Sequence, residues 1–285
     1  MTTQLQTLYP HERDQYIRFY PRGHKYDIVC DPKSKYTSVT TWVHTHFPKF
    51  DADAIIQNMF KGKNWGPDNK YWGMTAEQIK QSWKSNGDSV SSAGTNLHER
   101  IEHFINGDDQ GLTLPLPYFH KDLFDAYCRS HDGQPDRQPD AQLEWEYFLH
   151  FIRDHPELKP YRTEWMIFDE GVKLAGSIDM VYENPDGTLS IYDWKRSKDI
   201  TKANTWNKFS TNPLTLHIPD TNFWHYALQL NTYKTILERK YDKRVTHLCL
   251  VRLHPDAVES TYELLEVPIL TAEMEQLFGE REQQV

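Results

Sequence analysis

Asp179, Asp193 and Lys195 are the residues whose types and spacing best suggest chemistry. They lie in GSIDMVYENPDGTLSIYDWKRSK, residues 176–198, on either side of a turn signal. Carboxylate oxygens are preferred ligands of Mg²⁺ and Mn²⁺, and these ions commonly bind a phosphate substrate at the same time. If the chain brings these side chains together, the segment therefore suggests a metal site for phosphoryl chemistry.

The turn signal predicts how the two arms of this segment pair. Residues 185–187, Pro-Asp-Gly, suit a three-residue hairpin loop, because proline presets the first turn position and glycine takes the left-handed one. Asn184 then pairs with Thr188, Asp179 lies opposite Asp193, and Lys195 lies opposite Ser177. Since side chains alternate along a strand, we expect Asp179, Asp193 and Lys195 to share one face.

Two opposed carboxylates need compensation. At a Cβ separation of roughly 5 Å they repel by about 3 kcal/mol at an effective dielectric near 20. A bound divalent cation, the ammonium of Lys195 or a raised pKa on one acid could each offset this repulsion. A solvated strand face is the ordinary explanation for such residues, but both arms are otherwise apolar, with Ile178, Met180, Val181, Ile191, Tyr192 and Trp194.

The surrounding pattern predicts an α/β protein with a mixed sheet flanked by helices. Residues 24–43 alternate β-formers around DPKSK and predict an N-terminal hairpin. Helical patterns follow from residues 51, 75 and 91. The second half predicts three successive strands over TEWMIFD, KLAGSIDMVYE and TLSIYDWK, then a helix over NFWHYALQLNTYKTILERKY, a buried strand over RVTHLCLVRL, a further strand over LLEVPIL and a terminal helix.

Four motifs in this order resemble the PD-(D/E)XK nuclease superfamily, in particular its RecB-like branch, which includes phage-type exonucleases. They are GTNLH ending at His98, the G-x-x-D of Gly176 and Asp179, the D-x-K of Asp193 and Lys195, and the Q-x-x-x-Y of Gln229 and Tyr233. The resemblance implies a restriction-endonuclease-like core. We expect a single nuclease domain over residues 1–285, with a β-hairpin and helical extension at 1–88 and the core at 89–285.

The resemblance also implies a metal site and its ligands. Asp179, Asp193, His98 and the backbone carbonyl of Trp194 would hold Mg²⁺ or Mn²⁺. Lys195 would position and help deprotonate the attacking water, or stabilise charge on phosphorus. Glu164, at the start of the strand before G-x-x-D, matches an acid of this branch. It would support the metal ligands or hold a second metal ion.

Further residues near these motifs are expected to orient ligands or bind substrate. Glu102 lies one turn after His98 and could orient it or hold a second metal, although an exposed glutamate is the alternative. Gln229 and Tyr233 would face the site together or belong to the core. Arg196 and Lys198 could contact a phosphate backbone or be solvated.

The function implied is that of a metal-dependent deoxyribonuclease. We expect a DNA exonuclease that acts on ends of single- or double-stranded DNA during replication, recombination or repair. A structure-selective endonuclease and a catalytically inactive nucleic-acid-binding module of the same fold are the alternatives. The sequence predicts neither the polarity of cleavage nor the oligomeric state.

Composition limits the other classes of protein. A formal net charge of −9 argues against a globally basic nucleic-acid binder, although one basic groove can sit on an acidic body. Cys30, Cys128 and Cys249 are too few and too scattered for an iron–sulfur cluster, so none is expected. Without a long apolar run or a readable signal segment, the sequence predicts an intracellular protein of cytoplasm, nucleoid or nucleus, neither secreted nor in a membrane.

Overall fold

The computed structural model describes residues 3–107, 117–131, 143–205 and 207–285. Within these residues a mixed sheet of six strands forms the centre of the molecule, and helices cover both of its faces. The predicted α/β class, with a mixed sheet flanked by helices, is confirmed.

The N-terminal part consists of short elements and one long helix. In chain order they are α1 (Gln4–Leu8), a 3-10 turn (Glu12–Tyr16), β1 (Ile17–Tyr20), β2 (Lys25–Ile28), β3 (Thr37–Ser38), α2 (Val39–His44), α3 (Ala52–Lys61) and α4 (Ala76–Ile105). A hairpin is present, but the prediction that it folds around DPKSK was wrong. Strand β2 pairs with the preceding β1, and residues 39–44 are helical because Ser38 caps them by accepting a hydrogen bond from the amide of Thr41.

Helix α4 joins two segments that the sequence predicted as separate helices. Thr75 and Gln78 form a capping box at its start, in which each side chain accepts a hydrogen bond from the backbone amide of the other residue. The helix then continues through Ser91 without a break and crosses residue 89, where the sequence placed the start of the core. Its C-terminal turns therefore hold His98 on a long rigid element.

The second half follows the predicted order of strands and helices. Its elements are α5 (His120–Ser130), α6 (Leu143–Asp154), β4 (Lys159–Asp169), β5 (Leu174–Glu183), β6 (Leu189–Lys195), α7 (Asn222–Lys240), β7 (Val245–Arg252), β8 (Glu263–Glu266) and α8 (Thr271–Gln284). In the sheet, β4, β5 and β6 are successive antiparallel neighbours, β7 is parallel to β6, and β8 is antiparallel to β7. The short β3 adds to the start of β5 in parallel.

Two apolar cores hold the helices on the sheet. Helices α2, α7 and α8 pack on one face through residues such as Trp42, Leu230 and Phe278, against Ile178 and Ile191 of the strands. Helices α4, α5 and α6 pack on the other face against Tyr182 and Trp194. Because both faces are covered, the central strands carry near-continuous apolar runs. No helix among the described residues has the length and apolar character needed to cross a membrane.

The β5–β6 hairpin has the predicted register. The amide of Asn184 donates to the carbonyl of Thr188 at 2.8 Å, and Met180 pairs with Tyr192. Gly187 has a φ of 79°, the left-handed conformation that the loop requires of its last residue. The turn therefore brings Asp179 close to Asp193, but the ladder ends at Met180–Tyr192, one pair before the predicted pair of Asp179 with Asp193.

Candidate active site

The site lies where β5 and β6 separate. Their last backbone pair is Met180 with Tyr192, and beyond it the amide of Trp194 donates to Oδ2 of Asp179 at 3.0 Å. A side-chain carboxylate thus accepts a hydrogen bond from β6 just past the last pair of the ladder. Because β4 occupies the other edge of β5 and β3 pairs only with its first residues, residues 176–179 face no strand of the described chain on this edge. On this edge residues 176–179 thus have no described strand as a partner, although Gly176 and Ile178 are buried.

Gly176 allows helix α7 to lie close to this open part of β5. A Cβ atom at Gly176 would lie 2.7 Å from Cε1 of Tyr233, which is closer than real Cβ atoms approach. The hydroxyl of Tyr233 accepts a hydrogen bond from Nε2 of Gln229 at 3.1 Å, one turn earlier on α7. Both side chains line the cavity that contains Asp179. The two motifs G-x-x-D and Q-x-x-x-Y are thus in contact.

His98, Glu164 and Asp179 converge from α4, β4 and β5. One possible ligand atom from each lies within 4.8 Å of the others. Nδ1 of His98 lies 3.5 Å from Oδ2 of Asp179 and 3.8 Å from Oε1 of Glu164. An imidazole nitrogen and two carboxylates arranged in this way form a donor set suited to a divalent cation.

The second nitrogen of His98 fixes the orientation of the ring. Nε2 lies 3.0 Å from the carbonyl oxygen of Trp194. Since a carbonyl only accepts hydrogen bonds, Nε2 carries a proton and Nδ1 faces the carboxylates. Burial alone lowers the pKa of His98, but Asp179 and Glu164 outweigh it and raise the pKa to about 9. The position between these three groups thus favours positive charge, whether a proton or a cation supplies it.

Glu164 adopts an unusual backbone conformation. Its φ is 42°, a left-handed value that costs a non-glycine residue about 1–3 kcal/mol. The pairs Thr163–Met180 and Trp165–Ile178 flank it, so the register places Glu164 beside Asp179. Oε2 of Glu164 also accepts a hydrogen bond from Oγ of Ser177 at 2.9 Å. Strain of this kind clusters at functional sites, and here it accompanies a carboxylate that faces the cavity.

The alternation of side chains along β5 is interrupted at Asp179. Ile178 packs in the core under α7, whereas Met180, two residues later, packs in the core under α4. A regular strand would place both on one face. The interruption lies beside the strained Glu164, and both carboxylates line the same cavity.

Asp193 and Lys195 form a buried ion pair beside this cluster. Asp193 is only 1% exposed, and Nζ of Lys195 lies 2.6 Å from its Oδ2. Burial raises the pKa of Asp193 to about 6 against the opposing effect of Lys195. Burial favours the neutral amine of Lys195, but Asp193 and Asp179 outweigh it and raise the pKa of this lysine. Nζ also lies 4.5 Å from the ring centroid of Tyr226.

The carboxylate of Asp193 retains unused capacity for a ligand. Oδ2 is paired with Lys195, whereas Oδ1 is buried and accepts no hydrogen bond from the residues that the structure describes. Buried polar atoms are normally paired, so an orphaned carboxylate oxygen calls for a partner such as an ion. The residues at this position therefore fit a divalent cation, with His98, Glu164 and Asp179 clustered and Asp193 adjacent.

The remaining predicted residues lie further from the cluster. Glu102 lines the same cavity as Asp179. Arg196 is bound to α6, because its Nε lies 2.6 Å from Oε1 of the buried Glu144. The side chain of Lys198 is 71% exposed, and its Nζ lies 3.6 Å from Asp256. Lys198 thus lies at the surface, whereas Arg196 stabilises the contact between the end of β6 and α6.

Residues far earlier in the chain complete the cavity, and the sequence did not reveal them. The cavity has a volume of about 770 Å³, and Phe19, His24 and Tyr26 of the β1–β2 hairpin line it. Their shared cavity with carboxylates more than 130 residues later in the sequence leaves no local pattern. Ser177 and Tyr226 were also missed as partners of Glu164 and Lys195.

Comparison with known proteins gives one family. The family model of the PD-(D/E)XK nuclease superfamily matches residues 72–284, about three quarters of the chain. No curated protein shows significant similarity to it. The matched region contains the two separating strands, the helix with His98 and the helix with Gln229 and Tyr233. On this match and on its mixed sheet flanked by helices, the chain belongs to the PD-(D/E)XK nuclease superfamily and has its restriction-endonuclease-like fold.

Proposed function

We propose that this nuclease is a Mg²⁺- or Mn²⁺-dependent deoxyribonuclease of the RecB-like branch that hydrolyses phosphodiester bonds at DNA ends. The observation that carries the proposal is the convergence of His98, Glu164 and Asp179. Three separate elements supply them, yet their ligand atoms lie within 4.8 Å of one another. The cluster also lines a cavity that is large enough for a nucleotide.

The donor set supports a hard divalent cation. Two carboxylates and an imidazole suit Mg²⁺ or Mn²⁺. The carbonyl of Trp194, the further ligand that the resemblance implies, accepts from Nε2 of His98 and would join the ion only by giving up that hydrogen bond. When bound, such an ion would polarise the scissile phosphate and lower the pKa of a water molecule. Ser177 and the amide of Trp194 orient the carboxylates of Glu164 and Asp179.

Lys195 is proposed to stabilise negative charge on the reacting phosphate. Its raised pKa keeps it protonated at neutral pH, which supports a role as a cation over a role as a base. Asp193 holds this ammonium in place, and its orphaned oxygen can also contact a cation. Gln229 and Tyr233 line the same cavity as Asp179 and are proposed to contact the substrate.

Other parts of the proposal depend on the sequence. The preference for DNA ends, and a role in replication, recombination or repair, follow from the resemblance to phage-type exonucleases. We also propose that residues 1–285 form one nuclease domain and that the protein is intracellular. Contacts of β1 with β4 and of α2 with α7 support the first of these two points.

Cleavage of labelled DNA tests the proposed activity. We expect the wild type to cleave single- or double-stranded oligonucleotides with Mg²⁺ or Mn²⁺ and to lose activity in EDTA. Asp179→Asn should reduce the rate at least ~100-fold, because it removes a charged ligand of the cation. Asp27→Asn is the matched control, since Asp27 is not among the residues that line the cavity and its carboxylate is paired with Lys25. Equal activity of wild type and Asp179→Asn would refute the assignment.

The preference for ends needs a separate comparison. Linear DNA, the same DNA closed into a circle, and linear DNA with both ends blocked should be incubated with the enzyme under identical conditions. An exonuclease degrades only the open linear form. Cleavage of the circle at a similar rate would show an endonuclease and would leave the metal-dependent nuclease assignment intact.

A further inference from the structure

The β1–β2 hairpin lies outside the region that matches the family, yet it lines the same cavity as His98, Glu164 and Asp179. The family match begins at residue 72, whereas this hairpin spans residues 17–28. Phe19, His24 and Tyr26 form a wall of the cavity whose other lining residues include Glu164 and Asp179. We call these three side chains the aromatic wall.

The aromatic wall is a continuous surface of rings. Phe19 pairs directly with Tyr26 across the hairpin, and their ring centroids lie 4.9 Å apart. The ring of His24 meets Phe19 edge-on at a centroid distance of 5.0 Å. His24 itself has a φ of 51°, so the turn holds it in a left-handed conformation that places it beside Phe19. Three rings are thus fixed together by the hairpin.

The hairpin is anchored to the sheet through one of its faces, and part of the aromatic wall remains exposed. Ile17 and Ile28 are buried against Phe168 and Ala175 of the sheet, on the same face as Phe19 and Tyr26. Phe19 is only half-buried, and His24 is exposed. The hairpin therefore rests on the sheet while its aromatic edge faces the open cavity.

The chemistry of the cavity assigns different parts of a nucleotide to its two sides. Phosphate is repelled by the carboxylates of Glu164 and Asp179 except where a cation lies between them. The aromatic wall carries no carboxylate and offers ring faces and edges, which suit the π-face of a nucleobase. A nucleotide whose phosphate lies at His98, Glu164 and Asp179 can therefore direct its base toward this wall.

We propose that the aromatic wall binds the nucleobase of the nucleotide next to the scissile phosphate, with Phe19 as the principal stacking residue. This subsite rests on the proposed nuclease function and extends it to the binding of the base. Because stacking depends on a π-face and not on hydrogen-bond pattern, the subsite accepts all bases and gives little sequence preference.

Removal of the base and removal of the ring together test this subsite. The substrates are an oligonucleotide and the same oligonucleotide with an abasic residue at the terminal nucleotide. The variants are Phe19→Ala, Phe19→Trp, which preserves an aromatic ring, and Tyr20→Ala. Tyr20 is the matched control, because it is an aromatic residue next to Phe19 in β1 that is 45% exposed and is not part of the cavity lining.

We expect the losses in kcat/KM caused by removing the base and by removing the ring of Phe19 not to be additive. For the wild type, the abasic residue should lower kcat/KM about 10-fold, as loss of one stacked base predicts. Phe19→Ala should show a similar loss on the intact substrate and little further loss on the abasic one. Phe19→Trp should retain the preference for the base, and Tyr20→Ala should match the wild type. Equal losses for Phe19→Ala on both substrates would overturn the subsite.

Binding measurements separate this subsite from the proposed activity. If the wild type cleaves DNA but Phe19→Ala and Tyr20→Ala behave alike, the subsite is refuted and the nuclease function stands. If the wild type does not cleave, the nuclease function fails, and fluorescence anisotropy with the same two oligonucleotides decides the subsite. The subsite is supported if the wild type binds the intact oligonucleotide more tightly than the abasic one and Phe19→Ala loses this difference. It is overturned if affinity does not depend on the base, or if Phe19→Ala keeps the difference.

Discussion

At the scale of single residues, the site combines three carboxylates that neighbouring strands place side by side. Glu164, Asp179 and Asp193 belong to β4, β5 and β6, and each has a different partner. Ser177 and the amide of Trp194 bind the first two, and Lys195 pairs with the third. The positive charges of His98 and Lys195 offset only part of the repulsion, so the arrangement favours the proposed binding of a divalent cation.

Replacement of Lys195 separates metal binding from catalysis. We expect Lys195→Met to lower the single-turnover rate of DNA cleavage at least ~100-fold, because the charge that stabilises the reacting phosphate is lost. Mn²⁺ affinity should not fall, since removal of a cation leaves the site more negative. Lys33→Met, at an exposed lysine, is the control. Wild-type cleavage by Lys195→Met, or loss of Mn²⁺ binding, would contradict this role.

The sequence predicted most of these residues because a local turn sets the pairing of the strands that carry them. The Pro-Asp-Gly loop fixes the register of β5 and β6, so the proximity of Asp179 and Asp193 could be read from local residues. The left-handed φ of Glu164 and the interrupted alternation at Asp179 could not, because they arise from packing between strands. The predicted single face holds for Asp193 and Lys195 of β6, which form an ion pair. It does not extend to Asp179, because the alternation of side chains along β5 is interrupted there.

At the scale of elements, the close packing of α7 on β5 holds the site together. Tyr233 lies so close to Gly176 that the strand tolerates no side chain there. The same helix supplies Gln229 to the cavity and Tyr226 to Lys195. Local patterns predicted α7 and β5 but misplaced the N-terminal hairpin, because the partner of β2 is β1 and the DPKSK turn leads into helix α2.

The substitution Gly176→Ala tests this contact between elements. We expect it to lower the free energy of unfolding by about 1–3 kcal/mol, because the new methyl group overpacks against the ring of Tyr233. Urea denaturation measures the change. Gly279→Ala in α8 is the matched control, since no atom lies within 4 Å of its added Cβ, and it should be neutral or stabilising. Equal effects of the two substitutions would refute the close contact.

At the scale of the whole molecule, two cores and an N-terminal hairpin together enclose the cavity. The sheet carries the carboxylates, α4 and α7 cover them from its two faces, and the hairpin closes one side. The formal net charge of −9 means that the protein as a whole repels DNA at long range. The proposed binding of DNA therefore depends on this local site and on the cation, and we expect it to weaken sharply when the cation is removed.

Two buried histidines make the stability of the fold dependent on pH. Burial lowers the pKa of His46 to about 4 and that of His120 to about 3. In the unfolded chain both titrate near about 6.5, so below that pH the unfolded state takes up protons that the folded state does not. The free energy of unfolding should fall by up to about 1.4 kcal/mol per pH unit for each histidine, from pH 6.5 down to these lowered values.

Substitution of one histidine isolates its share of this effect. His120→Gln should reduce the slope of stability against pH between 6.5 and 4.5, whereas His247→Gln, at an exposed histidine, should leave the slope unchanged. Urea denaturation at a series of pH values measures both slopes. An unchanged slope in His120→Gln would show that His120 does not remain neutral in the folded protein.

His98, Glu164 and Asp179, from three separate elements, are proposed to hold one divalent cation. Titration of Mn²⁺ followed by electron paramagnetic resonance tests it directly, because the signal reports free and bound ion without any need for activity. We predict saturable binding by the wild type and by Asp27→Asn, and at least ~10-fold weaker binding by Asp179→Asn and by Glu164→Gln. Wild-type affinity in both of these site variants would contradict the account.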